Sequence, residues 1–183
     1  MEAVKFPKRS TNRELKLERH CAALAKVVVA IRPVYEKLET EQKALIETMI
    51  GAAIWYIPKP SNAWTGNISL SALKTFHPNS NVLKPKFSEE HVYPRKVAAK
   101  LLLEDQELTG ERMALLFREK YGKLHYITSD ENKLVQPFQR AGVFVSPEDA
   151  YLRAGIQFVE ILKSDLRLIK QRSQEVIEKY LAK

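Results

Sequence analysis

The sequence predicts a mainly α fold with a small β-hairpin, and three observations point there. Apolar residues recur at helical spacing through the first 56 positions and again after Ser146. Two stretches, 87–93 and 123–128, read as strands, each bounded by a turn or cap signal. With 6 glycines and 9 prolines in 183 residues, the chain has too few turn formers for a β-sandwich or a long disordered segment.

Taken in order, a basic, polar start gives way to a helix over 13–31, with Leu17, Leu24, Val28 and Ile31 on its apolar face. Pro33 ends or restarts it. Thr40 is a suitable N-cap for a second helix over 41–56, which Pro58 and Pro60 stop. The stretch 58–85 is the least regular, with one short helix over 69–76. Trp55 and Trp64 flank the first break. Aromatics at helix ends ordinarily complete a core, and that is expected of both, stacking on a base being the alternative. The strand over 87–93 closes at Pro94, and helices follow over 97–103 and 112–121, the second capped by Thr109. After the second strand, Thr128 and Glu131 form a capping box that opens another helix through 134. A turn and short extended piece over 139–145 leads to Ser146, Pro147 and Asp149, which start a last helix able to run to the C-terminus. That helix would hold about 35 residues and reach about 50 Å.

Four regions result: a helical 1–58, an irregular connector 59–86, a central 87–145 and a C-terminal long helix 146–183, expected to form one compact domain together. The stripe through Phe158, Ile161, Leu162, Leu166, Ile169, Val176, Ile177, Tyr180 and Leu181 suits either packing on the first two helices or a homodimer seam through the C-terminal helix.

Composition narrows the functional classes. The net charge of +8 makes nucleic acid the first partner to consider, because a positive surface gains affinity for phosphate backbones by counterion release. No apolar stretch reaches the roughly 18 residues that span a bilayer, and Met1–Arg9 lacks the apolar segment of a secretory signal. A cytoplasmic protein with no membrane partner is expected. The single cysteine, Cys21, excludes an intramolecular disulfide and a cysteine-based zinc site, and its helical, apolar surroundings predict a buried, inert thiol. Glycine-rich phosphate loops, dinucleotide fingerprints and nucleophile-elbow serines are absent from the sequence.

The chemistry-bearing residues lie in the centre. Glu90-His91-Val92-Tyr93-Pro94 ends the first strand, and Thr128-Ser129-Asp130-Glu131-Asn132 leads from the second strand into a helix. This order resembles the HNH (ββα-metal, His-Me finger) endonucleases, over roughly residues 87–136. The resemblance implies a ββα-metal core surrounded by helices, with His91 as general base and Glu90 and Asn132 holding a divalent cation, Mg2+ or Mn2+. Adjacent strand residues point to opposite faces, so Glu89 is the alternative ligand beside His91. Two helices separate the strands, where the simplest family members have a short loop. The family's middle, base-orienting residue has only His125 as a candidate. Lys86, Arg95 and Lys96 are placed to grip flanking phosphates.

The leading expectation is therefore a metal-dependent endonuclease hydrolysing double-stranded DNA, in restriction, phage defence or mobile-element biology. A non-catalytic helical DNA- or RNA-binding module is the alternative, and a helical protein-interaction protein is the third reading.

Overall fold

The structure is a computed structural model that describes residues 12–182; Lys5, Lys8 and Arg9 of the basic N-terminal segment lie outside them. Helix α1 (Asn12–Tyr35) buries Leu17, Cys21, Leu24, Val28 and Tyr35, spaced to fall on one face of a 3.6-residue helix. Pro33 does not end it at 31, because a proline so near the C-terminus disturbs only the last turn. Arg32, on the same face, is buried and donates from Nε to the Leu103 carbonyl at 2.9 Å and from Nη2 to the Asp105 carbonyl at 2.5 Å. It thereby satisfies carbonyls that the end of a second helix leaves orphaned. That helix is α4 (Arg95–Glu104), which packs with α1, α2 (Thr40–Trp55) and α5 (Gly110–Leu116) around one core that includes Ile54, Leu102, Met113 and Phe117. The first position of α2 is Thr40; the cap is Glu39, whose N–H donates to the Gln42 side chain. Thr109 caps α5 through the Arg112 N–H, and a π-helical turn, Phe117–Tyr121, extends it. Cys21 is fully buried here, and burial pushes its thiol up to about 12, the inert thiol expected.

The sheet is larger than a hairpin. β2 (Ser88–His91) and β3 (Leu124–Ile127) pair antiparallel in the register Ser88–Ile127, Glu89–Tyr126, Glu90–His125 and His91–Leu124, across the intervening α4 and α5. Two further strands join them: β1 (Trp64–Ser69), parallel to β3, and β4 (Phe158–Glu160), antiparallel to β1. The order is β2-β3-β1-β4, which leaves β2 at an edge. The stretch expected to be an irregular connector thus supplies an inner strand.

Helix α3 (Leu70–Thr75) falls inside the expected short helix, capped by Ser69. With α8 (Asp165–Lys170) and α9 (Gln174–Leu181) it contributes to a second core containing Ile68, Leu73, Phe76, Ile161, Ile169, Ile177 and Tyr180. A third core holds Val135 of α6 (Ser129–Val135) with Ala150 and Tyr151 of α7 (Pro147–Arg153). Phe138, in the 3-10 turn Gln136–Gln139 after α6, and Phe158 pack against it.

The long C-terminal helix is not present. α7 ends at Arg153, and Gly155, at φ 69°, turns the chain into β4; Arg172, at φ 62°, separates α8 from α9. Positive φ is inexpensive for glycine, which makes residue 155 a natural helix stop. The apolar residues of the expected dimer seam are distributed instead: Ile161, Ile169, Ile177 and Tyr180 are buried in the second core. The seam has no continuous helix to carry it. No helix among the described residues is long and apolar enough to cross a membrane.

One buried carboxylate joins the two sheet-following helices. Glu131, 7% exposed, accepts hydrogen bonds from Ser69 Oγ at 2.5 Å and from the Thr128 N–H at 2.8 Å. Ser69 in turn accepts from the Ala72 N–H, and Thr128 Oγ1 from the Glu131 N–H. Glu131→Ala leaves the Ser69 hydroxyl and the Thr128 amide without their acceptor and is expected to cost about 1–3 kcal/mol of unfolding free energy. Leu152→Ala, at a site 79% exposed, is expected to change it by less than about 0.5 kcal/mol. Urea unfolding of both variants checks the contrast, and equal losses would remove Glu131 from its structural role.

Candidate active site

A cleft of about 570 Å³ opens between the end of α2, the β2 edge and the start of α6. Its walls include Glu89, Glu90, His91, Arg95, Lys96 and Asn132. Of the residues singled out in the sequence, the cleft collects all but Lys86 and His125. Lys86 is exposed two residues before β2 and does not line it.

Strand parity alone separates Glu90 from both Glu89 and His91. The cleft receives all three because β2 is an edge strand that ends at His91, so side chains leaving either face reach the open border. The two glutamates have different surroundings. Glu89 is exposed and forms an ion pair with Lys59. Glu90 is buried, and Gln139 Nε2 donates to its Oε1 at 2.6 Å. Burial pushes the Glu90 carboxyl up to about 7, against the opposing pull of the Gln139 hydrogen bond and the Arg95 charge.

His91 is shifted the other way. Burial, with the positive charge of Arg95, holds it down to about 4, while the Tyr121 backbone acts in the opposite sense. The ring is therefore neutral near pH 7, and its Nδ1 is buried. Asn132 stands on the first turns of α6, placed there by the Thr128–Glu131 capping box. Its amide donates to Ser88 Oγ at 3.4 Å, and its Oδ1 is 3.5 Å from Gln136 Nε2.

The opposite wall comes from α2. Gly51 lies so close to α4 that a Cβ there would sit 3.2 Å from the Arg95 carbonyl carbon and oxygen. This approach brings the next turn, with Trp55, over Arg95, whose guanidinium lies 4.4 Å from the indole centroid. Trp55 also meets the His91 ring at 5.8 Å. The core role expected of both tryptophans holds for Trp64, which stacks on Tyr126, but not for Trp55, which is 56% exposed. Lys96 faces Glu47 at 4.0 Å, and Glu47 accepts from the Tyr35 hydroxyl at 2.9 Å.

His125 does not orient His91. It lies opposite Glu90 on β3, against Tyr151 and Phe158, with its Nδ1 2.7 Å from Thr65 Oγ1. Gln139 is a cleft residue that sequence reasoning did not assign, and Trp55 one that it assigned to a core. Gln139 sits in a turn with no motif around it, while the Pro58 break beside Trp55 marked a helix end.

The donor set for a metal is oxygen-rich and small. The Glu90 carboxylate and the Asn132 amide oxygen are hard donors, suited to a cation such as Mg2+ that keeps much of its water shell. Among the described residues no group of three or more His, Cys, Asp or Glu could hold a metal ion. Desolvation raises the Glu90 carboxyl more than Gln139 and Arg95 together lower it, and a cation beside it would act in the same sense as Arg95. On that ground the residues fit a hard cation. No family model, curated protein or solved structure matches this chain significantly.

Burial also holds His125 down to about 4, with Glu148 opposing. A histidine depressed in the folded state adds stability that is fully present above its unfolded value of about 6.5 and is lost as pH falls toward 4. His125→Phe, which keeps an aromatic ring beside Tyr151 and Phe158, is expected to lose less stability than the wild type between pH 6.5 and 4. Parallel pH curves from urea titrations would show that His125 does not stay neutral in the folded chain.

Proposed function

We propose that the chain is a divalent-metal-dependent endonuclease of the HNH, ββα-metal kind, hydrolysing phosphodiester bonds in DNA. The observation that carries this reading is the meeting of Glu90, His91 and Asn132 in one cleft with Arg95 and Lys96. The succession of antiparallel β2 and β3 followed by α6, which contacts β2, agrees with it.

Phosphodiester hydrolysis needs an activated water, neutralised phosphate charge and help for the leaving oxygen. Glu90 and Asn132 would hold Mg2+ or Mn2+, which when bound neutralises phosphate charge and stabilises a leaving alkoxide. His91 stays unprotonated at neutral pH and lines the cleft, so its imidazole can accept the proton of the attacking water. Gln139 holds Glu90 by its hydrogen bond. Arg95 makes no ion pair with the described residues, which leaves its charge for a phosphate.

One observation favours a second reading, a non-catalytic nucleic-acid-binding module. Glu89 is already paired with Lys59, and Glu90 with Gln139, as in a site whose carboxylates serve structure. Metal dependence separates the two.

Supercoiled plasmid incubated with the protein is expected to become nicked or linear with Mg2+ or Mn2+ and to stay intact in excess chelator. His91→Ala is expected to slow cleavage at least about 100-fold, as loss of a general base does, with an unchanged circular dichroism spectrum. Arg95→Ala is expected to lower the slope of log affinity against log salt by about one. Cleavage that persists in chelator, or a His91→Ala protein that cuts at the wild-type rate, would falsify the proposal.

A further inference from the structure

Trp55 is the feature of the cleft that hydrolysis leaves unused. It stands at the last position of α2, more than half exposed, in a chain whose other tryptophan is stacked in the second core with its indole N–H on the Asn67 carbonyl. An exposed indole is ordinary when isolated. This one lines the cleft, with the Arg95 guanidinium 4.4 Å from its ring centroid and the His91 ring 5.8 Å away. The close approach of Gly51 to the Arg95 backbone fixes the two helices that carry this pair.

An exposed indole with the Arg95 guanidinium over one face matches the two halves of a nucleotide. The other face takes a base, and the guanidinium takes the phosphate next to it. The base must offer its own face, which a base inside a duplex does not. The cleft volume of about 570 Å³ lies within the range of small-molecule sites, which suits a nucleotide rather than a double helix.

We propose that Trp55, braced by Arg95, is a stacking platform for one unpaired nucleobase beside the bound phosphate. The preferred substrate is then single-stranded or locally opened nucleic acid rather than the intact duplex. This inference rests on the nucleic-acid reading of the cleft.

The test is fluorescence anisotropy of a labelled single-stranded oligonucleotide and of the same sequence as a blunt duplex, in chelator and at one salt concentration. The wild type is expected to bind the single strand at least about tenfold more tightly. Trp55→Ala is expected to weaken single-strand binding about tenfold or more and duplex binding little, with the salt slope unchanged because no charge is removed. Trp55→Phe, which keeps a π-face, is expected to restore most of the loss, so misfolding cannot account for it. Equal affinity for both forms, or a Trp55→Ala protein with wild-type preference, overturns the platform while leaving the nucleic-acid reading in place. Failure of the wild type to bind either form overturns both.

Discussion

The Glu131 carboxylate sets the direction of the elements that build the cleft. β1 and β3 run parallel and side by side, so the helices that follow them, α3 and α6, begin at the same border of the sheet. Each helix start leaves backbone N–H groups without intrahelical partners. Ser69 and Thr128 satisfy part of that need as caps, and Glu131 joins the caps to each other. A buried acid with that many donors is held in place, and α6 is held with it. Asn132 is the next residue, and its side chain is thereby delivered to Ser88 on the edge strand.

Around that anchor the cleft depends on two departures from regular packing. One is the edge position of β2, which lets residues from both sheet faces meet at a border. The other is the tight contact at Gly51, where α2 approaches α4 so closely that a Cβ would press on the Arg95 backbone. Burial then sorts the titratable groups. Glu90 is pushed toward its neutral form and His91 is kept in it, so the floor of the cleft carries little charge of its own while Arg95 and Lys96 supply positive charge at its wall.

Features written in local chemistry were legible in the sequence. The caps at Thr109, Thr128 and Ser146 each place a short polar side chain three residues before the amide it serves, and the extended stretches of β2 and β3 stand out against helical neighbours. The convergence of Glu90, His91 and Asn132 followed from ordering those elements. β1 was not legible, because Trp64-Thr-Gly-Asn-Ile-Ser69 is half polar with a central glycine; pairing with β3 and β4 on both sides makes it a strand. The C-terminal region misled for the opposite reason. Its apolar residues suit one continuous helical stripe as well as a strand and two short helices, and only Gly155 hinted at the break. Trp55 was assigned to a core because helix-end aromatics usually belong to one, whereas it stands more than half exposed in the cleft.

The chain order of the sheet has a consequence for assembly during synthesis. Trp64 of β1 waits sixty residues for Leu124, and Ile68 waits ninety-one for Val159, whereas the α1, α2, α4 and α5 bundle is complete before β3 emerges. Loop-closure entropy makes such distant pairings late events, and an unpaired strand is a hazard while it waits. β1 meets that delay with Thr65, Gly66 and Asn67 in its middle, a composition that stays hydrated and offers little for another chain to hold. The polarity that hides this strand from pattern reading is also what lowers the tendency of such a segment to pair wrongly before its partners are made.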